Sequence, residues 1–576
     1  MLVRWLGAHH KMGDGQHQAA KRELRLNEKP LFPNRVACSF EHVKTGYHFR
    51  RAFHHVRTPV RKKPPKRTGR STKRTPAPHH QERKRSQDEA IRRTAGKPIV
   101  VVSRPWRFPL LDKSATHASW VDVASVCHLT PPAAVLCFLV VSVCRGQSVE
   151  FDGEPWNVTT ARKEESMRRV VVTGLGTVAA TGNCVSESWE AALAGRSGVG
   201  RISLFDASDF TVKIAAEVKD FDPSTVMSLK EARQSSRFVQ FAAAAAREAL
   251  DDSGLDVTTG SERYGCAIGV GLGGIGKIEQ GAYTCRDKGP TRISPLFLPY
   301  VIPNMAAGFV SVALGLRGPN FSTATACASG THAIGEAFLH VAMGTADAMI
   351  AGGTEATISP LCVASFAKMK ALSTRNDAPA EASRPFDLDR DGFVMGEGSG
   401  LVVIEELEHA KQRGARIYAE VVGYGLSGDA HHITSPTPDG NGAARCMAAA
   451  LQAGRITPEQ LDYINAHGTS TKPNDASESK AIATVLGDHA MQVCISSTKG
   501  VTGHCLGAAG GIEAIYTVLA IHHSVIPPTA NYATPDPDCP LDYTTEGARE
   551  RSIRYALSNS VGFGGQNACL AFSRLF

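Results

Sequence analysis

The sequence has neither the paired-cysteine motifs of a metal or redox site nor a long apolar run. Its 14 cysteines are scattered over 576 residues, and no two are separated by only two residues. That excludes the zinc-ribbon and thioredoxin patterns and fits poorly with a disulfide-stapled secreted domain. The apolar run at 133–144 has about twelve residues, whereas a membrane-spanning helix needs about 20. We therefore expect free thiols in a reducing compartment and no stable membrane span.

Acidic residues are scarce at the N-terminus. Residues 1–100 hold 25 Lys and Arg against 7 Asp and Glu, and the rest of the chain is net acidic. The stretch 61–85 is basic, rich in Pro, Ser and Thr and nearly free of apolar residues, so we expect it to be disordered. Residues 1–166 are interpreted as an organelle-targeting extension, with absence from the mature protein as the alternative because Met167 could be an internal start. No nucleic-acid partner is expected, because the basic run lacks interleaved aromatic residues.

From residue 167 onwards, strand and helix patterns alternate. A β-branched run at 170–172 is followed by glycines, and a helical pattern at 238–254 ends in glycine. This alternation predicts α/β layers with largely parallel, buried strands. Similar strand starts in each part indicate two related halves, 167–415 and 416–576. The GxGxxG match at 271–276 is a weak signal, and we reject a dinucleotide site because no acidic residue follows on a strand end.

Cys327 lies in the segment TACASG, between an extended stretch and a helical pattern. A cysteine at such a turn has its sulfur near a helix N-terminus, where the dipole lowers a thiol's pKa. Its small neighbours permit a tight turn and leave room for a substrate, so a nucleophile is predicted.

His467 in NAHGTST and His504 in STKGVTGHCLGAAG lie in glycine-rich loops. A lone buried histidine is usually structural, but neither of these has an apolar stripe to pack on. A cysteine with one histidine and a carboxylate or Asn suggests a protease or acyl hydrolase. A cysteine with two histidines suggests that two imidazoles hold one carbonyl oxygen, as an enolate forming on a thioester requires.

Together these motifs resemble the β-ketoacyl-acyl carrier protein synthases of the elongating type (synthase I/II class). The resemblance covers 168–576 and also rests on NMAAGFVSVALGLRGPN (304–320), on 371–398 and on SNSVGFGGQN (558–567). It implies a thiolase-like fold, with two related halves in an α-β-α-β-α layered sandwich, and usually a homodimer. It also implies decarboxylative Claisen condensation, which extends a fatty acyl chain by two carbons in type II fatty acid synthesis.

The resemblance assigns a role to each motif. Cys327 would carry the acyl chain as a thioester, while His467 and His504 would bind the malonyl thioester carbonyl and support its decarboxylation. The backbone N–H groups of Cys327 and Phe563 would form the oxyanion hole, and Phe563 would also be the gate between the half-reactions.

Supporting roles follow from the same resemblance. Lys499 and Glu513 match a charged pair near the second histidine, and Asp475 matches an acid near the first. Thr469 and Thr471 would meet the pantetheine arm. No metal or resident cofactor is expected, because the carrier protein supplies the phosphopantetheine.

Leu272 matches a pocket-lining residue that influences acyl length. Two positions depart from the family pattern. Pro473 and Asn474 replace a glycine turn, which Asn could still form because it tolerates left-handed conformations. Val561 stands where many members have Phe, which could widen the site near the cysteine.

The implied partner is an acidic acyl carrier protein, with a solvated charged face as the alternative interpretation of the basic residues. The spacing i, i+3, i+7 predicts that the first group lies on one helix face. The candidate docking residues form two groups, Lys230, Arg233 and Arg237, and then Arg286, Lys288 and Arg292.

Two alternatives remain, another thiolase-superfamily condensing enzyme and an inactive chain-length or scaffold subunit. Thiolases use a second cysteine near the C-terminus, where this chain has Gly564 and Gly565, and chalcone-type enzymes pair His with Asn. Retention of Cys327, His467 and His504 together argues against an inactive subunit. The basic extension resembles that of organellar synthases, so we expect a mitochondrial protein, with the plastid as the alternative.

Overall fold

The computed structural model describes residues 108–110, 119–121, 149–151, 154–156 and 167–575. The first four ranges are short strands that form two antiparallel pairs, β1 (Phe108–Leu110) with β2 (Ser119–Val121), and β3 (Val149–Phe151) with β4 (Glu154–Trp156). The basic stretch 61–85 and the apolar run 133–144 lie outside the described residues.

A ten-stranded sheet runs through residues 167–575. Its strands are β5 (Val170–Ala179), β8 (Tyr264–Gly269), β9 (Asn320–Phe321), β10 (Ala348–Glu355), β11 (Gly398–Glu406), β12 (Ala419–Gly428), β13 (Tyr463–Asn465), β14 (Cys494–Ser496), β17 (Tyr555–Gly562) and β18 (Gln566–Ser573). Two short ribbons pair β6 (Gly200–Arg201) with β7 (Ile214–Ala215), and β15 (Val525–Ile526) with β16 (Arg549–Glu550).

The strand order is β14-β13-β17-β18-β12-β5-β11-β10-β8-β9. From the central β12–β5 contact, each side shows two antiparallel pairings followed by two parallel ones. This repeat confirms two related halves. The expectation of largely parallel strands is wrong, since the central contact is antiparallel too. Part of the reason is the length of the connections. A three-residue turn joins β17 to β18, and a parallel pair would need a much longer crossover, so these two strands pair antiparallel.

Helices cover the sheet in layers. In chain order they are α1 (Val185–Leu193), α2 (Leu229–Gln234), α3 (Arg237–Ser253), α4 (Ile275–Lys288), α5 (Met305–Leu314), α6 (Ser329–Ala342), α7 (Pro360–Lys368), α8 (Leu407–Gln412), α9 (Asn441–Gly454), α10 (Lys472–Leu486), α11 (Lys499–Thr502) and α12 (Ala509–His523). Helices α3 and α5 share a core with the first half of the sheet, and α9 and α10 share another with the second.

Helices α6 and α12 form the central layer, because they contact each other and strands of the sheet. Their close approach requires glycine, since a Cβ on Gly330 would lie 2.9 Å from the backbone N of Gly511. Short 3₁₀ turns, 326–328 and 506–508, precede these two helices. The central layer therefore brings Cys327 and the His504 segment to one place. In the part of the chain that the structure describes, no helix is long and apolar enough to cross a membrane.

Candidate active site

Cys327 lies in a tight turn directly before α6. Ala326 has a φ of 51°, in the left-handed region that a residue with a side chain rarely adopts. Ser329 holds this turn, since its Oγ accepts the N–H of Thr325 at 2.9 Å and donates to the carbonyl of Ala326 at 2.7 Å. A constrained backbone of this kind is typical of functional sites.

The Cys327 thiol is buried. Burial raises the pKa of this thiol to about 12, while the charge of Lys499 and the backbone N–H of Phe563, which donates to the sulfur, oppose the rise. The sequence predicted a lowered pKa from the helix N-terminus, and that prediction is wrong in direction because desolvation outweighs the favourable groups. The thiol is thus protonated at neutral pH and must lose its proton as it attacks.

His467 and His504 lie against each other, with ring centroids 5.3 Å apart and ring planes at 86°. Both are buried, and both line the same cavity as Cys327. Burial, together with the Lys499 charge, holds the pKa of each imidazole well below its usual range. The two rings are therefore neutral near pH 7.

Each neutral ring carries one N–H. The Nδ1 atoms of His467 and His504 are buried and have no hydrogen-bond partner in the described residues. A buried unpaired donor is less tolerated than an unpaired acceptor, so we assign the proton of each ring to Nε2. Two Nε2–H donors can then serve one substrate oxygen.

A buried carboxylate holds the backbone of the His467 loop. Glu478 of α10 accepts the N–H of His467 and the N–H of Gly468, each at 2.8 Å, and the side-chain amide of Asn559 at 3.3 Å. The sequence reasoning missed Glu478. Its spacing of three residues from Asp475 on one helix could have indicated that both carboxylates face this loop.

Asp475 holds the next part of the same loop. Its carboxylate accepts the N–H of Thr469 at 3.0 Å and that of Phe386 at 2.9 Å, and it pairs with Arg390 at 3.3 Å. Thr469 and Thr471 line the cavity, and their hydroxyl oxygens lie 2.9 Å apart. These contacts place Asp475 behind the loop whose Thr469 and Thr471 line the cavity.

The backbone of His504 is bound on both sides to the segment 394–396. Its N–H donates to the carbonyl of Val394 at 2.8 Å, and its carbonyl accepts the N–H of Gly396 at 2.9 Å. The imidazole meets the edge of the Phe393 ring, with centroids 5.4 Å apart. The His504 backbone is therefore held in place, and its ring packs against Phe393.

Lys499 of α11 and Glu513 of α12 form a buried ion pair. Burial raises the pKa of Glu513, and the Lys499 charge opposes that rise. The same cation lowers the pKa of His467 and of His504. Lys499 of the predicted charged pair thus adds to burial, which is the larger cause, in lowering the pKa of both histidines.

Four buried oxygens on β13, β17 and α12 have no hydrogen-bond partner in the described residues, namely Asn465 Oδ1, Glu513 Oε2, Ser558 Oγ and Asn559 Oδ1. Asn465 and Ser558 are register partners on β13 and β17, and Asn465 Nδ2 donates to the Glu513 carbonyl at 3.1 Å. Oxygen donors of this kind are the type that hard cations prefer. No group of three or more His, Cys, Asp or Glu in the described residues could hold a metal.

The cavity has a volume of about 930 Å³. Leu272, Val561 and Phe563 line it together with the cysteine and histidines. Phe563 sits at the turn between β17 and β18, partly exposed, with its ring 6.4 Å from that of Phe366. The cavity is thus large enough for an acyl chain, with apolar side chains along its wall.

The structure differs from our expectation at Pro473 and Asn474, the two residues that replace the family's glycine turn. Pro473 lies in the first turn of α10, and Asn474 is helical rather than left-handed. A proline fits there because its fixed φ suits a helix start and the first N–H groups have no partner in the helix. The predicted turn is therefore wrong, and the helix simply begins at Lys472.

The six candidate docking residues do not form one helix face. Lys230 and Arg233 are exposed on α2, whereas Arg237 begins α3 after a break at 235–236. Arg237 is half-buried and pairs with the buried Glu397 at 2.8 Å, so its guanidinium is engaged within the chain and the helix-face prediction is wrong. The second group is exposed on α4 and in the 3₁₀ turn that follows, with Arg286, Lys288 and Arg292.

Comparison with known proteins identifies the family of the chain. Residues 167–410 match the model of the β-ketoacyl synthase N-terminal domain, and residues 418–533 match that of the C-terminal domain. The chain is 53% identical over 410 residues to 3-oxoacyl-[acyl-carrier-protein] synthase 2 of Coxiella burnetii, which covers 71% of this chain and 99% of that protein. The chain belongs to the β-ketoacyl synthase family.

Solved structures agree with this assignment. A β-ketoacyl synthase from Burkholderia phymatum is 38% identical, with a TM-score of 0.67, and covers 71% of this chain and all of that one. A type II polyketide ketosynthase complex, in which an acyl-carrier protein is bound to its ketosynthase, is also 38% identical, with a TM-score of 0.66 and the same coverage. The expected thiolase-like fold and the resemblance to elongating synthases are confirmed.

Proposed function

We propose that the protein condenses a malonyl thioester on acyl carrier protein with an acyl group held on Cys327, lengthening the chain by two carbons in type II fatty acid synthesis. The proposal rests on one cavity that Cys327, His467 and His504 all line. The reaction needs one covalent acyl acceptor and two hydrogen-bond donors for an enolate, and the cavity contains all three.

In the first half-reaction, the sulfur of Cys327 attacks the carbonyl carbon of an acyl thioester. The thiol loses its proton, the carrier thiol gains one and leaves, and the acyl group becomes a thioester on Cys327. The N–H of Phe563, which already points at the sulfur, and the N–H of Cys327 would stabilise the oxyanion. One such donor is typically worth about 3–4 kcal/mol of barrier.

In the second half-reaction, His467 and His504 hold the thioester oxygen of the malonyl group through Nε2–H. The bond to the carboxylate breaks, CO₂ leaves, and its electron pair forms an enolate that attacks the carbonyl of acyl-Cys327. That attack forms the new C–C bond and releases the Cys327 sulfur as a thiolate, which takes up a proton from water to restore the thiol. Neutral imidazoles suit this role because they stabilise the developing charge as fixed donors without transferring a proton to it.

The substrates would arrive on an acyl carrier protein, which supplies the phosphopantetheine. Thr469 and Thr471 line the cavity, and their hydroxyl groups suit the polar pantetheine arm. The exposed basic groups on α2 and α4 suit an acidic carrier, and a related ketosynthase is described in complex with its carrier protein.

Incubation of the protein with labelled malonyl-carrier and acyl-carrier tests the proposal. A β-ketoacyl-carrier product supports it, whereas its absence with folded wild-type protein favours an inactive chain-length or scaffold subunit. The intact set of Cys327, His467 and His504 disfavours that alternative.

We further propose that the protein is a homodimer in the mitochondrion, as the family resemblance and the basic residues 1–100 suggest. Light scattering of the purified protein and mass spectrometry of its native N-terminus test the two statements. A monomer contradicts the first. A plastid location, or a protein that retains residues 1–166 outside any organelle, contradicts the second.

A further inference from the structure

The glycine run at 271–276 does bind an acidic group, but that group is the protein's own Glu355 carboxyl, whose pKa is raised by burial to about 7. Glu355, at the end of β10, accepts the backbone N–H groups of Gly271 at 2.8 Å, Leu272 at 3.1 Å and Gly273 at 3.1 Å. Consecutive N–H groups that converge in this way form an anion-binding nest. The sequence pattern that suggests phosphate binding is thus explained by an internal contact.

Glu355 also binds the turn that follows His504. The N–H of Gly507 donates to the same carboxylate at 3.2 Å. The side chain is fully buried, and each hydrogen bond that the structure gives it comes from a backbone N–H. Burying a carboxylate is costly unless it is well hydrogen-bonded, so these four donors are what permits Glu355 at this place.

The packing around the carboxylate leaves no room for adjustment. A Cβ on Gly271 would lie 2.5 Å from Glu355 Oε2, and a Cβ on Gly507 would lie 2.4 Å from the N of Gly271. Residues 271–274 are Gly-Leu-Gly-Gly, so the only side chain on this closely held backbone is that of Leu272, which lines the cavity. Leu272 is partly exposed there, with no strand or helix of its own to fix it.

We propose that Glu355 is a positioning residue that sets acyl-chain selectivity, because it fixes the backbone that places Leu272 in the acyl cavity. The proposal rests on the proposed condensing function. It predicts that Glu355 acts through Leu272, so the effects of changing the two residues should not add. A residue that merely stabilises the fold would lower the activity toward all acyl chains alike.

The test is a double-mutant cycle on Glu355→Gln and Leu272→Ala in the full chain. Gln keeps the size of Glu, but its amide nitrogen cannot accept an N–H. Acyl-pantetheine thioesters with a medium and a long chain are supplied at pH 8, and acyl-Cys327 is followed by intact-protein mass spectrometry. Pantetheine substrates avoid any effect of carrier docking. Glu248→Gln is the matched control, since Glu248 also accepts backbone N–H groups, from Thr177 and Val185, away from the cavity.

We expect Glu355→Gln to change the ratio of kcat/KM between the two chain lengths by about tenfold, the size of a misfitted apolar contact. Leu272→Ala should change the same ratio, and the double variant should change it no further. Glu248→Gln should leave it unaltered. An equal loss for both chain lengths, or additive effects, overturns the proposal.

If Glu355→Gln does not fold, Glu355→Asp gives the same test, because it keeps the charge but withdraws the carboxylate from the loop. A change in the kcat/KM ratio between the two chain lengths that is smaller than tenfold supports the proposal. An unchanged ratio overturns it. Wild-type protein that forms no acyl-Cys327 at all refutes the proposed function instead, so the two failures are distinguishable.

Discussion

The imidazole rings of His467 and His504 meet edge to face, 5.3 Å apart, and neither Nδ1 has a partner in the described residues. Two rings this close could not both be charged without strong repulsion. Burial and the nearby Lys499 prevent that, since they hold the pKa of each ring well below the usual value. The pair is therefore built to donate two hydrogen bonds, and its chemistry depends on remaining neutral.

Malonyl decarboxylation should stay constant as the pH falls through 6.5. An ordinary histidine would be half protonated there, whereas these two rings stay neutral to lower pH. The rate is best measured as CO₂ release by folded protein. A decarboxylation rate that falls with a midpoint at or above pH 6.5 would contradict the assignment of two neutral imidazole rings.

The same shifts predict how stability depends on pH. Below pH 6.5 the unfolded chain binds protons at both histidines while the folded chain resists them. The contribution of His467 and His504 to the free energy of unfolding is therefore fully present above pH 6.5. It falls as the pH decreases below that value. Denaturant titrations at several pH values, with His504→Asn for comparison, should show a weaker acid dependence in the variant. An identical dependence would argue against a depressed pKa at His504.

In the ion pair between Lys499 and Glu513, the effect of changing one residue on the free energy of unfolding should depend strongly on whether the other is present. Lys499→Met leaves Glu513 buried without its cation, and a broken buried pair costs about 3–5 kcal/mol of unfolding free energy. The double variant with Glu513→Met should recover most of that loss. Lys499→Met should also raise the histidine pKa values, which the pH profile of decarboxylation would reveal. A double variant no more stable than Lys499→Met would count against this interpretation.

Carrier docking should depend on the exposed residues of α2. Charge reversal at Lys230 and Arg233 should raise KM for acyl-carrier at low salt, because electrostatic steering is lost. KM for an acyl-pantetheine substrate is the internal control and should not change. Arg237→Gln should instead lower stability, since it unpairs the buried Glu397. An unchanged KM for acyl-carrier at low salt would remove α2 from the docking surface.

The reactive residues could be predicted from sequence because each one lies in a locally distinctive segment. Cys327, His467 and His504 stand among small residues that serve no packing pattern. Glu355 and Glu478 were missed because each carboxylate serves backbone N–H groups of another segment. The loop that Glu355 holds lies more than 80 residues earlier in the chain.

Other predictions from the sequence were wrong for the same reason, because they depend on contacts between distant parts of the chain. Arg237 was placed on the docking face by its spacing, but Glu397, 160 residues away, draws it inward. The thiol pKa of Cys327 was predicted from the helix dipole, whereas the burial that raises it depends on the whole fold. The two-half repeat was visible in the strand starts, but pairing direction depends on connections that periodicity does not encode.

The Cys327→Gln variant should separate the two half-reactions when both are measured on the same folded protein. Gln cannot form a thioester, but His467, His504 and Lys499 stay in place. Mass spectrometry should find no acyl-enzyme, while labelled malonyl-carrier should still release CO₂. Loss of both activities in a folded variant, or an acyl group still attached to the protein, would contradict the division of labour between the cysteine and the two histidines.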